Sequence, residues 1–242
     1  MKKPLTLLFI CTASTLLAQT LEKKVNRFNK VIASPKINLV MVEGATESVK
    51  INYVNIDPSK INVVVKHNTL RIYLDGSRFT EKRERVKFDG EVRKENVYRD
   101  ASITAYVTYT KLQKLTVRGE QEVDIQSPIV NKKFKLSAYG ECIITLASLQ
   151  VGWFKAALYG QNDIKINEGF ADAQKYKLFG ENKIDAQALQ SEEIASTTYG
   201  ESRLKFQVTQ NLRLVTLGES NVYVKGSPDV SKLTLGEISI RR

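Results

Sequence analysis

Leu158-Tyr159-Gly160-Gln161-Asn162-Asp163-Ile164-Lys165-Ile166 returns twenty residues later as Leu178-Phe179-Gly180-Glu181-Asn182-Lys183-Ile184-Asp185-Ala186. Both copies place an apolar residue two before a glycine and two more at four and six after it, with polar residues between. That alternation is the signature of a strand with one buried face. Working outward, the glycine recurs as Gly119, Gly140, Gly160, Gly180, Gly200, Gly218 and Gly236, at spacings of 21, 20, 20, 20, 18 and 18. A strand pattern repeating near every twenty residues calls for stacked coils. The expected fold is all-β: a right-handed parallel β-helix, or solenoid, with coils of about 20 residues and three short strands per turn, preceded by an irregular β region. A propeller blade needs a period of about 40, and leucine-rich repeats need their own leucine consensus, so neither fits.

Counting from each glycine, the even positions are apolar or small and point inward. They include Val123 and Ile125, Ile144 and Leu146, Ile164 and Ile166, and Leu204 and Phe206. Two after the glycine, the inward column reads Gln121, Cys142, Asn162, Asn182, Ser202, Ser220 and Ile238. Small polar groups at an inward bend can bond the turn and their equivalents one coil away. The glycine serves a bend or a close backbone approach that a Cβ would obstruct.

Most outward columns mix their charges, but the one just after the glycine does not. It reads Glu120, Glu141, Gln161, Glu181, Glu201, Glu219 and Glu237. Unit charges about 4.8 Å apart, the strand spacing, repel by about 0.9 kcal/mol per neighbouring pair in water, so the row needs something to offset it. Just before the glycine stand Arg118, Tyr139, Tyr159, Phe179, Tyr199, Leu217 and Leu235. Five before it come Lys114, Lys135, Lys155, Lys175 and Arg213, interrupted by Ala195 and ended by Ser231. One face is therefore expected to carry a basic, an aromatic and an acidic row in parallel.

Two readings of that face stand open. In one, stacked aromatics stabilise the solenoid and the glutamates bond the turn. In the other, Tyr139, Tyr159, Phe179 and Tyr199, with Glu120, Glu141, Gln161, Glu181, Glu201 and Glu219, form a platform for sugars, aromatics stacking and carboxylates accepting hydroxyl hydrogen bonds. Divalent cations held between adjacent glutamates are a third, weaker option, for one carboxylate per coil is a sparse ligand set.

Residues 1–18 read as an export signal: Lys2 and Lys3 form the basic start, Pro4 to Ala13 the apolar core, and Leu16-Leu17-Ala18 the cleavage site. Ile10 ahead of Cys11 speaks against lipidation there, since lipidated cysteines follow a small residue. Removing the signal loses those two lysines and no acid, so the net charge falls from +11 to +9. Cys142 is then the only cysteine, and no internal disulfide can form. The positive charge suits contact with acidic surfaces such as lipopolysaccharide, acidic glycans or nucleic acid, although solubility alone explains it. No second stretch reaches transmembrane length.

Three regions are expected: the signal at 1–18, an N-terminal β region at 19–110 with a charged insertion at about 77–100, and the repeat β-helix at 111–242. Between Arg78 and Asp100 there are eight basic and six acidic residues, read as a solvated loop or a protruding hairpin.

Catalytic chemistry is hard to find. His67 is the only histidine and sits in the turn-like Lys66-His67-Asn68. No GxSxG, HExxH or phosphate-loop pattern occurs. Cys142 reads as a small packing residue, and Trp153 as packing near Phe154. Polysaccharide lyases and glycosidases built on β-helices remain the rival reading, but glycosidases need two carboxylates set apart from the rest, and the glutamate row singles none out. No catalytic residue, metal site or cofactor is expected.

Phe28-Asn29-Lys30-Val31-Ile32, the strand Leu39-Val40-Met41-Val42-Glu43-Gly44, the element Asn68-Thr69-Leu70-Arg71-Ile72 and the opening Leu115-Thr116-Val117-Arg118-Gly119 occur in that order. Together they resemble the family of auto-transporter adhesins with a head GIN domain, over about residues 28–240. The resemblance implies a β-helical protein that is periplasmic, outer-membrane-associated or secreted. It supplies no catalytic residues. The 77–100 segment is longer and more basic than the family pattern. The function expected is therefore a non-enzymatic adhesin or binding scaffold of the cell envelope. Its partner is a glycan or envelope surface component rather than a specific nucleic acid, and its oligomeric state is left open.

Overall fold

In the computed structural model, residues 19–88 and 91–242 are described, and the expected export signal lies outside them. The chain is 78% strand and coils into a β-solenoid of about six turns. Its strands are β1 (Gln19–Lys24), β2 (Lys30–Ala33), β3 (Asn38–Glu43), β4 (Ser48–Val54), β5 (Ile61–Lys66), β6 (Thr69–Leu74), β7 (Arg83–Phe88), β8 (Glu91–Asn96), β9 (Ser102–Tyr109), β10 (Lys114–Ile125), β11 (Ile129–Leu146), β12 (Leu149–Ile166), β13 (Gly169–Lys225) and β14 (Asp229–Arg241).

From β10 to β14 every neighbour is parallel, and the register follows the glycine: Gly119 lies on Gly140, Gly140 on Gly160, Gly160 on Gly180 and Gly218 on Gly236. The even positions form one continuous core, in which Phe134, Phe154, Tyr176 and Phe206 are fully buried. Burying a large apolar side chain contributes about 1.5–3 kcal/mol, so each coil adds several such increments to its neighbours.

The three separate strands expected per turn are not what forms. β13 runs unbroken for 57 residues through successive corners. Most corners keep the parallel register because the glycines turn the backbone at φ between +94° and +133°, although between β11 and β12 the pairing lapses after Gly140 and resumes at Ile143. At Gly200 the requirement is sharp: φ is +117°, and a Cβ would stand 2.6 Å from the Gly180 carbonyl oxygen in the coil beneath.

The N-terminal β region continues the same stack. β2 pairs in parallel with the start of β10 and β3 with its end, so the two make the coil on which the repeats sit. β6 and β9 extend that coil outward, and the antiparallel strands β4, β1 and β5 cover its edge. The hairpin between β5 and β6 turns at His67 and Asn68, both at positive φ, so the lone histidine is a turn residue. β7 and β8 form a separate two-stranded hairpin inside the charged stretch. Among the described residues no helix is long and apolar enough to cross a membrane.

Candidate functional site

The glycine corners indent one side of the solenoid. The indentation is an open groove of about 740 Å³ running along the stack, and it is lined by Glu120, Glu141, Gln161, Glu181, Glu201 and Glu219. Its floor is the inward polar column, from Gln121 through Cys142, Asn162 and Asn182 to Ser202. Its far wall is the column three after the glycine, running from Glu122 to Asn221. Seven carboxylates and two basic side chains, Lys183 and Arg203, face this space in a chain whose net charge is strongly positive.

The glutamates are not tied to the turn amides. Among the described residues, none of Glu120, Glu141, Glu181, Glu201, Glu219 and Glu237 has a side-chain hydrogen bond or an ion pair. All of them are exposed. The structural reading of this row therefore lacks the bond it needs, and the carboxylates stand available to a ligand.

The floor is held by a chain of hydrogen bonds. Asn162 Oδ1 accepts from the Cys142 amide at 3.3 Å, and Asn162 Nδ2 donates to Asn182 Oδ1 at 3.0 Å. Asn182 Nδ2 donates in turn to the Phe179 carbonyl at 3.3 Å. Higher up, the Ser202 and Ser220 hydroxyls share a bond of 2.9 Å, braced by Thr198 and Thr216. At the first coil the chain breaks. Gln121 is 2% exposed, yet neither its Oε1 nor its Nε2 has a partner. A buried amide with no partner costs about 1–3 kcal/mol, so the floor is less firmly held at this coil than at those above it.

Cys142 is buried, and burial pushes its thiol up to about 11 against the opposing pull of nearby backbone amides. Its Sγ lies 3.4 Å from the Gly119 carbonyl oxygen, and at neutral pH it is a thiol rather than a nucleophilic thiolate.

The aromatic row lies beside the groove rather than in it. Tyr139, Tyr159, Phe179 and Tyr199 stack face to face with centroids 4.7–5.0 Å apart and planes within 3°. Arg118 covers the outer face of Tyr139 at 4.9 Å. The ring faces between coils are thus occupied by one another, and the row offers solvent its edges and three phenolic hydroxyls. The row thus presents edges and hydroxyls, and no gap between rings, to anything that docks on it. Trp153 does not pack inward: strand parity turns Phe154 into the core and leaves Trp153 48% exposed, with the Lys155 ammonium 5.4 Å from its ring.

Sequence columns located the glutamate and aromatic rows correctly as neighbours. What they missed is Gln121, whose lack of partners depends on the packing of the first coil, and the indentation on the far side of the glutamate row from the aromatics. Among the described residues no three His, Cys, Asp or Glu side chains converge to hold a metal ion.

A family model described as "putative auto-transporter adhesin, head GIN domain" matches residues 27–228. No curated protein matches the chain. Among solved structures, a "putative adhesin" from Bacteroides fragilis is similar at TM-score 0.72 and 19% identity, covering 94% of this chain and 98% of that one. Another from Parabacteroides distasonis gives TM-score 0.67 at 15% identity, over 93% and 96% of the two chains. A "putative lipid binding protein" from Parabacteroides distasonis gives 0.59 at 15% identity, over 92% and 95%. At these identities the likeness establishes the shared fold.

Proposed function

This chain belongs to the head GIN domain family of auto-transporter adhesins, and on that premise we propose that it is an exported, non-enzymatic binding protein of the cell envelope that holds an extended glycan along its glycine groove. The observation that carries the reading is the groove itself, a continuous channel with one side chain of the glutamate row per coil, none of those carboxylates partnered. Carboxylates accept hydrogen bonds from vicinal hydroxyls, and the row offers one such exposed side chain at nearly every coil. The hydroxyls of Tyr139, Tyr159 and Tyr199 add donors beside it. A ligand that repeats along its length matches a protein that repeats along its axis, and many weak bonds summed over the coils give useful affinity.

A screen of the full chain against neutral and acidic oligosaccharides tests this directly. The expected result is retention of at least one neutral glycan with no change to it. New reducing ends or unsaturated products would instead make the protein a polysaccharide-cleaving enzyme. Export is checked by protease treatment of intact cells, which should cleave a surface-exposed protein and spare a cytoplasmic control.

A further inference from the structure

On the other side of the aromatic row the structure assembles a second array. Lys114 lies in register on Lys135, Lys135 on Lys155 and Lys155 on Lys175. β2 extends the line, for Lys30 pairs with Lys114. Five consecutive coils thus present a lysine in one column. At a strand spacing of about 4.8 Å the line is about 19 Å long. Among the described residues, none of these five ammonium groups has a carboxylate within ion-pair distance. The charges act on one another: Lys155 is held below the usual lysine range, first by Lys133, then by partial burial, then by Lys175, Lys135 and Lys177.

Between this line and the aromatic row runs a column of small side chains, Thr116, Ser137 and Ala157, lying low on the sheet. Four residue steps along the strand separate the two walls, about 13 Å at the usual rise. Lys177 continues the same column and places a further ammonium in the furrow. Trp153, half exposed beside Lys155, flanks the lysine wall. The furrow is therefore narrow, straight, parallel to the solenoid axis and charged with one sign.

We propose that this furrow is a binding site for an extended acidic polysaccharide, whose carboxylates or sulfates lie along the lysine line. A linear polyanion meets a fresh ammonium at each coil and displaces their mutual repulsion. A planar anionic bilayer would rest on the lysine and aromatic rims and leave the low floor at Thr116, Ser137 and Ala157 unfilled, whereas a single polymer chain fits between them. The site is independent of the glutamate groove, which lies across the aromatic row and repels the same ligand. That repulsion confines a polyanion to the lysine side.

The test uses the full chain and dextran sulfate as the probe, with neutral dextran and vesicles containing phosphatidylglycerol as the other arms. The triple variant K135Q/K155Q/K175Q should bind dextran sulfate at least about tenfold more weakly, with a flatter dependence of log affinity on log salt, because fewer counterions are exchanged. The triple K66Q/K87Q/K94Q, which removes the same charge elsewhere, should change affinity by less than about twofold, and K135R/K155R/K175R should keep it. The single variant K155Q, expected to weaken binding about threefold, serves if the first triple does not fold. Equal losses in the two Gln triples would overturn the proposal in favour of bulk charge. Vesicle binding as tight as polysaccharide binding, and lost with the same lysines, would overturn it in favour of a bilayer.

Discussion

Gly200 shows how one atom governs a coil. Its φ of +117° is open to glycine, and the Gly180 carbonyl beneath leaves no room for a methyl group. Gly200→Ala should therefore lower unfolding stability by about 2–4 kcal/mol, combining backbone strain with a steric clash. Urea unfolding followed by circular dichroism reads the change, and a loss below about 0.5 kcal/mol would mean that the corner relaxes. The glycine's period and its need for a bend could both be read from the sequence. The reason for the need could not, because the obstructing atom belongs to the previous coil. Gln121 failed to stand out for the same reason: its column predicted an inward polar residue, while its missing partners arise from the junction with the first coil.

At the scale of the element, the glycine corner joins two ladders of different character. The outward ladder of Tyr139, Tyr159, Phe179 and Tyr199 gains from stacking, each aromatic pair adding about 0.5–1.5 kcal/mol. The inward ladder is polar and depends on complete pairing. Asn162→Ala would strand the Cys142 amide and Asn182 Oδ1 together, so the expected loss is about 2–4 kcal/mol. Combining it with Asn182→Ala should cost less than the sum of the two, with a coupling of about 0.5–3 kcal/mol in a double-mutant cycle. Strict additivity would show that the two amides act separately. Both ladders are legible in the sequence columns, because a parallel register without slips puts equal positions on top of each other. The strands themselves are not: breaks are expected at each corner, but a glycine that turns without losing its ladder bonds lets β13 run through.

Across the whole molecule the rows sort by charge. A lysine line, an aromatic ridge and an acidic groove run side by side along one axis, so the protein with a net charge of +11 still lines one channel with a row of carboxylates. The sequence showed three rows on one face. It hid that the ridge divides them into two troughs, and that β2 adds Lys30 to the lysine line, because this requires knowing that the N-terminal region stacks as a coil. The central claim is that the glutamate row serves a ligand and not the fold. The most direct measurement is titration of the best neutral glycan from the screen into the wild-type chain and into E141Q/E181Q/E201Q, with urea unfolding of both. Gln161 already occupies one rung of the row, so the amide fits. The expected result is at least about a tenfold loss of affinity with unfolding stability unchanged or slightly raised, since like charges about 4.8 Å apart are removed. Unchanged affinity with a clear loss of stability would contradict it and make the row part of the scaffold.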